Sequence, residues 1–310
     1  MADLMTSAAF ADGLAAFAAR FQTPLEQSLD TAIADVLREP LHYALTGRGK
    51  RLRPALVFLA AGSINKQMWP DLDQPGWKSL IPAAISVELI HLYSLIHDDL
   101  PCMDDDAMRH GRPTLHCAYD QATAVLCGDA LQTLAFAQLS HNEISPTLTA
   151  AWLQTLSHAA GGRGMVGGQA LDLAMEGQKT TQLDALSQLH EQKTGALISA
   201  SLVMGAQWAY ANATIVDSMR AFGLAAGRAF QIQDDILDAT ASSETLGKTA
   251  GKDQQAEKCS YVTLLGLDDA RAQLDETARQ AHAHLAALQT QNVNTQALHA
   301  CLDFMIQRAR

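Results

Sequence analysis

Residues 91–106 read HLYSLIHDDLPCMDDD, an apolar helical stretch that runs into five aspartates within nine residues. The residues before it, from 81 onward, are nearly all Ala, Ile, Val and Leu, which predicts a buried helix. Unpaired carboxylates are costly to bury, and divalent cations among them remove that cost. A second stretch, QIQDDILD at residues 231–238, repeats the arrangement. Together they predict one metal-filled cavity between two helices.

Composition narrows the class of protein. A chain of 310 residues with 48% hydrophobic content is long enough to bury a large core. We find no run of about 18 uncharged apolar residues and no targeting segment, so we expect a cytoplasmic protein without a membrane span. The formal charge of −11 disfavours nucleic acid as a partner. Five cysteines without a C-x-x-C pair indicate reduced thiols.

The pattern along the chain is helical, since Ala, Leu and Gln are frequent and few runs alternate with period two. We expect an all-α protein: a single domain over residues 1–310, forming a bundle of about ten helices around a central cavity. Helices are predicted at 1–22 and 24–46, with Pro24 starting the second. The glycine-rich residues 161–168 follow a helix and lack the Gly-Lys-Ser/Thr ending of a phosphate loop, so they predict a close helix contact.

Helix geometry separates the two acidic clusters. Asp234 and Asp238 are four residues apart, about 40° around a helix, and therefore share a face. Asp98 and Asp104 are six apart, about 240° around, and do not share an ion on an unbroken helix. Because Pro101 lacks an N–H, we expect the helix to end or bulge at residues 99–103 and to bring Asp104 beside Asp98.

Magnesium held in such a cavity binds phosphates, so basic residues are expected at the rim. Lys50 and Arg53 lie on one side of a helix, and His91 lies two turns before Asp98. Taken singly, each of them is a solvated surface charge about as often as it is a phosphate-binding residue. The further basic candidates are Arg109, Lys193, Lys248 and Lys258.

These motifs resemble those of the trans-isoprenyl diphosphate synthases. HDD-x4-D at 97–104, followed by R-x-G-x-P-T at 109–114, is similar to the first aspartate-rich motif of that family, and DDILD at 234–238 to the second. GKRLRP at 49–54, GQ-x-x-DL at 168–173, KTG at 193–195 and Gly247-Lys248 match in family order. The resemblance covers residues 24–310, and the nearest subgroup is the bacterial farnesyl type.

The resemblance implies a magnesium-dependent prenyltransferase. It would condense isopentenyl diphosphate with dimethylallyl and geranyl diphosphate to give farnesyl diphosphate, and its relatives are homodimers. Three Mg²⁺ ions would be held by Asp98, Asp104 and Asp234. The implied catalytic groups are the Lys193 carbonyl, the Thr194 hydroxyl and the Gln231 amide oxygen. The implied substrate-binding residues are Gly49, Lys50, Arg53, His91, Arg109, His110, Lys193, Thr194, Gln231, Lys248 and Lys258.

Two positions bear on specificity. His110 stands where many relatives have a second arginine, and a largely neutral imidazole predicts weaker or more pH-dependent binding of isopentenyl diphosphate. Tyr93 is five residues before Asp98, which corresponds to about 7–8 Å of helical rise. A bulky ring there would close the end of the pocket and stop chain growth after a few isoprene units. With Ser94 beside it, Tyr93 favours a C15 product, although a plain core role for the ring stays open.

Four alternatives remain. A geranylgeranyl diphosphate synthase of the plant type would tend to have a smaller or flexible residue in place of Tyr93. A class I terpene cyclase would not need the site formed by Lys50, Arg53 and His91, and its second cluster usually includes Asn and Ser or Thr. A non-catalytic regulatory subunit would typically lose one acidic cluster, and both are intact. A phosphohydrolase built on a His97-Asp98 dyad lacks supporting histidines.

Overall fold

The computed structural model describes the chain in seven ranges. These are residues 5–29, 33–47, 49–69, 71–140, 144–175, 182–240 and 259–307. Within them, the paired strands are β1 (Met108–Arg109) and β2 (Arg112–Pro113), which form a two-residue antiparallel hairpin. Helices make up nearly all the remaining regular structure. The prediction of an all-α protein is confirmed.

The first half of the described chain is built around the helix that carries the first acidic cluster. Its helices are α1 (Ser7–Gln27), α2 (Asp35–Leu45), α3 (Leu52–Ile64), a 3₁₀ helix (Pro75–Leu80), α4 (Ile81–Asp98), α5 (Leu115–Ala118) and α6 (Gln121–Gln138). The second half carries the other cluster on its longest helix. Its helices are α7 (Pro146–Ala160), α8 (Met165–Met175), α9 (Leu183–His190), a π-helical turn (Glu191–Gly195), α10 (Ala196–Trp208), α11 (Ala213–Thr240), α12 (Tyr261–Leu265), α13 (Leu267–Thr290) and α14 (Gln296–Ile306).

Three apolar helices occupy the centre of the bundle. α10 packs against α3, α11 and α7, while α4 packs against α6 and α3. Most residues of α3, α4 and α10 are buried, and burying each large aliphatic side chain contributes roughly 1.5–3 kcal/mol. The core runs from Phe10 in α1 to Met305 in α14. A smaller cluster, including Leu186, Ile236 and Tyr261, underlies the end of α11.

The predicted boundary at Pro24 is wrong. α1 continues from Ser7 to Gln27 with Pro24 inside its last turns. Its buried stripe passes through that point without interruption, from Phe21 to Leu25, and the packing outweighs the one backbone hydrogen bond that proline removes. Consequently α2 begins at Asp35, about ten residues later than the predicted second helix.

One helical stretch is long and apolar enough to cross a membrane, contrary to the expectation that none would be found. It runs from Pro75 to Asp98, and 67% of its most apolar window is buried inside the protein. The core helix of a globular protein meets the same length and composition criteria. We therefore describe it as the buried 3₁₀–α4 segment.

Candidate active site

A cavity of about 370 Å³ opens between α3, α4, α8 and the π-helical turn. Its wall holds residues that the sequence assigned to metal, diphosphate and chain-length functions. These are Arg53, His91, Tyr93, Ser94, Asp98, Lys193 and Thr194. Residues from four separate segments therefore meet in one space.

The first acidic cluster folds back on itself. α4 ends at Asp98, and the backbone N–H of Asp104 donates to the carbonyl oxygen of Asp98 at 2.8 Å. The N–H of Asp105 donates to Leu100, and its φ of 50° is a left-handed conformation that a short polar side chain tolerates. The reversal expected around Pro101 is confirmed, and it brings Asp104 beside Asp98.

Within this cluster, Arg109 neutralises one aspartate. Its Nε donates to Asp99 Oδ1 at 2.7 Å and its Nη2 lies 2.5 Å from the same oxygen, with the Asp99 side chain 5% exposed. Asp98 lacks such a partner in the described chain. The pKa of its carboxyl is raised to about 6, mainly by burial; the charge of Asp104 also acts to raise it, whereas Lys193 and Arg109 act in the opposite direction. Asp98 therefore carries a negative charge at neutral pH at a cost in free energy.

Lys193 and Thr194 are presented by the π-helical turn, a form of helix that often marks functional sites. Lys193 Nζ lies 2.5 Å from Asp172 Oδ2 on α8, and Thr194 donates its hydroxyl proton to Gln231 Oε1 at 3.1 Å. α8 abuts the turn so closely that a Cβ at Gly168 would lie 2.3 Å from the Lys193 nitrogen. The role of Asp172 was missed, although its signal is visible as the lone acid on an apolar helix.

The second acidic cluster is linked to the cavity wall by Gln231, which accepts the hydrogen bond of Thr194 and lies one turn before Asp234 on α11. Burial raises the pKa of the neighbouring Asp235 carboxyl to about 7. The Tyr261 backbone N–H, which donates to Asp235 Oδ2 at 2.8 Å, and Gln231 partly oppose that effect, while Asp234 and Asp238 add to it. Both clusters thus hold carboxylates whose charge is destabilised.

Some of the predicted basic residues line the cavity or lie near it, and others do not. Burial lowers the pKa of His91 well below its usual value, and the charges of Arg53, Arg109, Arg51 and His110 lower it further. His91 is therefore neutral at physiological pH and lies within a region of positive charge. Lys50 is not among the residues that line the cavity, and its ammonium is 5.2 Å from the Phe304 ring centroid. Lys248 and Lys258 are outside the described residues.

The basic turn at residues 47–54 is organised by a buried ion pair that the sequence analysis missed. Arg51 Nη1 donates to Glu88 Oε1 at 2.7 Å, and the two side chains are 2% and 3% exposed. Arg51 Nη2 also donates to the carbonyl oxygens of Leu45 and Gly47. A side chain at Gly49 would meet this guanidinium, since a Cβ there would lie 2.8 Å from Nη1. The signal was Glu88, an isolated acid within a buried apolar helix.

Tyr93 lies in the cavity wall below Asp98. Its side chain is buried, and its ring meets His97 edge to face at 5.8 Å. Ser94 donates its hydroxyl proton to the His91 carbonyl oxygen at 2.9 Å. His97 Nε2 lies 3.1 Å from the carbonyl oxygen of Val125, so the ring is engaged by α6 and is unsuited to a metal dyad with Asp98.

The donor set fits magnesium bound together with a phosphate ligand. The described residues contain no group of three or more His, Cys, Asp or Glu side chains close enough to hold an ion without other ligands. Mg²⁺ is typically held by one or two carboxylates plus waters and substrate phosphate oxygens, and it prefers oxygen ligands such as those of Asp98 and Asp104. A cation would also stabilise the Asp98 carboxylate, whose pKa is raised mainly by burial.

The Arg51–Glu88 pair yields a stability prediction. Replacing Glu88→Gln leaves a buried guanidinium without its counter-ion, and we expect the free energy of unfolding to fall by about 3–5 kcal/mol. Urea denaturation followed by circular dichroism measures it. The control is Asp217→Asn, which breaks the exposed Arg220–Asp217 pair on α11 and should cost less than about 1 kcal/mol. Equal effects of the two replacements would contradict the prediction.

The raised pKa of Asp98 yields a pH prediction. Its folded-state pKa is about 6 against an ordinary 3.8, so the folded protein binds the proton more tightly and loses stability as pH rises between these values. In EDTA at pH 8, Asp98→Asn should raise the free energy of unfolding by roughly 1–3 kcal/mol, and this gain should vanish near pH 4. Denaturant titrations across pH measure it, with the exposed Asp129→Asn as control. A gain independent of pH would refute it.

Comparison with known proteins identifies the family. Residues 34–297 match the polyprenyl synthetase family. The farnesyl diphosphate synthase of Escherichia coli (strain K12) is 44% identical over 274 residues, covering 87% of this chain and 88% of that protein. Geranylgeranyl pyrophosphate synthase 7, chloroplastic, of Arabidopsis thaliana is 39% identical over 279 residues, covering 87% of this chain and 77% of that protein.

A crystal structure shares the fold. It is the geranyltransferase of Helicobacter pylori complexed with magnesium and isoprenyl diphosphate, with a TM-score of 0.76 and 34% identity over 94% of this chain and 96% of that one. These matches confirm the resemblance drawn from the motifs. The chain belongs to the polyprenyl synthetase family and is a prenyltransferase of the all-α fold.

Proposed function

We propose that this prenyltransferase is a magnesium-dependent farnesyl diphosphate synthase, which condenses isopentenyl diphosphate with dimethylallyl and then geranyl diphosphate. The observation that carries the proposal is a single cavity whose wall holds Asp98 and Lys193 together with Arg53 and His91. A terpene cyclase needs one diphosphate site. A second, basic site in the same cavity supports chain elongation instead.

In this proposal the allylic diphosphate binds between the two acidic clusters. Asp98, Asp104 and Asp234 would hold three Mg²⁺ ions, which supply the positive charge that stabilises pyrophosphate as it leaves. Lys193 and Arg109 add charge-assisted contacts to the same diphosphate. Since both are paired with carboxylates in the structure, each must share or exchange its partner when substrate binds. Lys248 and Lys258 would contribute from the 242–258 segment.

Isopentenyl diphosphate would bind beside it, at the basic end of the cavity. Arg53 supplies charge, the neutral His91 donates a hydrogen bond, and His110 on the β1–β2 turn lies within the same electrostatic region. Lys50 would add its charge by turning away from the Phe304 ring. Gly49 leaves room for the Arg51 guanidinium, which holds this turn in place. The metal-free site thus depends on the chain's own cations.

The reaction begins with cleavage of the allylic C1–O bond, whose electron pair leaves with pyrophosphate. The remaining cation is stabilised by the Lys193 carbonyl, the Thr194 hydroxyl oxygen and the Gln231 amide oxygen, dipoles fixed before the reaction. The double-bond electrons of isopentenyl diphosphate then form the new bond to C1. Loss of a proton from its C2 restores a double bond, and the released pyrophosphate accepts that proton.

A geranylgeranyl diphosphate synthase is the second candidate, because relatives with that name match the chain nearly as well. The buried Tyr93 ring, in the wall below Asp98, favours the C15 product. We further propose that the chain forms a single domain, that the protein is a homodimer, and that it is located in the cytoplasm. The neighbouring Val125 and Leu126 on α6 are 40% and 54% exposed, which supports a self-association surface.

Incubation with labelled isopentenyl diphosphate, dimethylallyl diphosphate and Mg²⁺ tests the function. We expect a C15 diphosphate as the main product, no turnover in EDTA, and a loss of roughly 100-fold or more in kcat for Asp98→Ala. Product chain length is measured by chromatography after phosphatase treatment. Cyclic hydrocarbons, or no condensation at all, would refute the proposal.

Tyr93 sets the expected product length. Tyr93→Ala removes the ring from the cavity wall, so the growing chain should extend to C20 or beyond. The products from geranyl diphosphate are compared with those of Tyr210→Ala, where the tyrosine is 83% exposed. If Tyr93→Ala yields only C15, the ring is a plain core residue.

His110 sets the expected pH dependence of isopentenyl diphosphate binding. His110→Arg fixes a positive charge at the turn, so KM for isopentenyl diphosphate should fall, and most clearly near pH 8, where the imidazole is neutral. KM for geranyl diphosphate should stay unchanged. The control is His158→Arg on the exposed face of α7. A KM for isopentenyl diphosphate that is the same for wild type and His110→Arg from pH 6 to 8 would count against a substrate contact.

A further inference from the structure

Arg228 on α11 links three helical segments through its guanidinium. Its Nη1 donates to Glu191 Oε1 at 3.1 Å, and Glu191 is the first residue of the π-helical turn. Its Nη2 donates to Gln280 Oε1 on α13 at 2.8 Å. The Gln280 amide is itself oriented, because its Nε2 donates to Glu276 Oε1 at 3.0 Å. The arginine side chain is 21% exposed, so this fork of contacts is partly shielded from water.

The π-helical turn is enclosed by the backbones of two helices. On one side, a Cβ at Gly168 of α8 would lie 2.3 Å from the Lys193 nitrogen. On the other side, a Cβ at Gly227 of α11 would lie 2.6 Å from the Gly195 Cα. Because the π form of helix is rare, contacts with neighbouring elements are expected to select it over a regular α-helix. The polar contacts of the turn therefore bear on its shape.

Two of these polar contacts join the turn to α11 with matching spacing. Glu191 accepts from Arg228 near the start of the turn. Three residues further along both elements, Thr194 donates its hydroxyl proton to Gln231 Oε1. Two points of attachment fix the rotation of the turn on α11 as well as its position, which a single contact does not. Lys193, which lines the cavity with Thr194, lies between the two points.

We propose that Arg228 is a positioning residue for the prenyl transfer, which acts through Glu191 to hold the turn that carries Lys193 and Thr194. This inference rests on the proposed function, in which the Lys193 carbonyl and the Thr194 hydroxyl stabilise the allylic cation. Dipoles stabilise a developing charge only when they are fixed in the correct orientation, and supporting hydrogen bonds supply that rigidity. The arginine itself contacts no substrate and transfers no proton.

Kinetics of Arg228→Met give the first test. Methionine keeps the aliphatic stem and removes the guanidinium, so kcat should fall by roughly tenfold, a part of the about 100-fold loss that a 1 Å misplacement causes. KM for isopentenyl diphosphate should stay within about twofold, since Arg53 and His91 lie on α3 and α4. The matched control is Arg220→Met, which breaks the exposed pair with Asp217 on the same helix and should leave kcat unchanged. An unchanged kcat in Arg228→Met would overturn the inference.

A double-mutant cycle gives the second test, because it shows whether Arg228 acts through Glu191. Glu191→Gln removes the charge of the partner and keeps its shape. If both residues act through one contact, kcat of the double variant should lie within about twofold of the lower single variant. Losses in kcat that multiply would show that the two residues act independently, and the proposal would fail.

Hydrogen exchange gives a third measurement that does not depend on turnover. In ligand-free Arg228→Met, amides of residues 190–197 should exchange roughly threefold or more faster than in the wild type and in Arg220→Met, while the central helices stay unchanged. Unchanged exchange in the turn, or faster exchange throughout the protein, would contradict a positioning role. All kinetics are measured at a temperature where circular dichroism shows every variant fully folded, so that a lower kcat does not reflect a loss of folded enzyme.

The outcomes separate this inference from the proposed function. If the wild type makes no prenyl product, the proposed function fails. If the wild type turns over and Arg228→Met has a normal kcat, whatever its exchange rates, Arg228 has at most a structural role and this inference alone fails.

Discussion

The structure depends on the placement of several carboxylates inside an apolar bundle. Burial raises the pKa of Asp98 to about 6 and that of Asp235 to about 7, so both acidic clusters bear charge at a cost in free energy. Packing of α4 and α11 stabilises the fold despite this cost, because each helix buries a long apolar face. An uncompensated negative charge of this kind is what a polyvalent cation with a diphosphate relieves. The buried carboxylate charge thus both destabilises the empty site and favours binding of a cation together with a diphosphate.

The chain's own cations are distributed so that each fixes one part of the site. Arg51 pairs with Glu88 and shapes the basic turn, Arg109 pairs with Asp99 after the first cluster, and Lys193 pairs with Asp172 across α8. These pairs differ in burial. The Arg51 and Glu88 side chains are almost completely buried from solvent, and this pair stabilises the fold. The Lys193 and Asp172 side chains are 25% and 20% exposed. A partly exposed pair exchanges partners at lower cost, which suits Lys193 for contact with a substrate phosphate.

Local patterns in the sequence predicted much of this arrangement. The all-α fold followed from residue preferences, and the reversal at Asp98–Asp104 followed from helix periodicity and one proline. What sequence reasoning missed depends on contacts between distant residues. Arg51 and Glu88 are 37 positions apart, and Asp172 and Lys193 are 21 apart, so no local pattern pairs them. The π-helical turn lies where α8 and α11 closely approach Lys193 and Gly195, which are contacts between distant residues. The continuation of α1 through Pro24 likewise depends on tertiary packing.

In the proposed reaction the cavity wall must stabilise a carbocation without trapping it, and this restricts which side chains can point inward. His97, next to Asp98, is a nucleophile in its neutral form. Its Nε2 lies 3.1 Å from the Val125 carbonyl oxygen, which accepts hydrogen bonds only, so Nε2 carries the proton and the lone pair of the neutral ring is on Nδ1. Gly128 makes this orientation possible, because a Cβ there would lie 2.0 Å from Nε2. A glycine on α6 thereby fixes the orientation of the imidazole, and the groups assigned to the cation are amide, carbonyl and hydroxyl oxygens, which stabilise charge without forming a lasting bond.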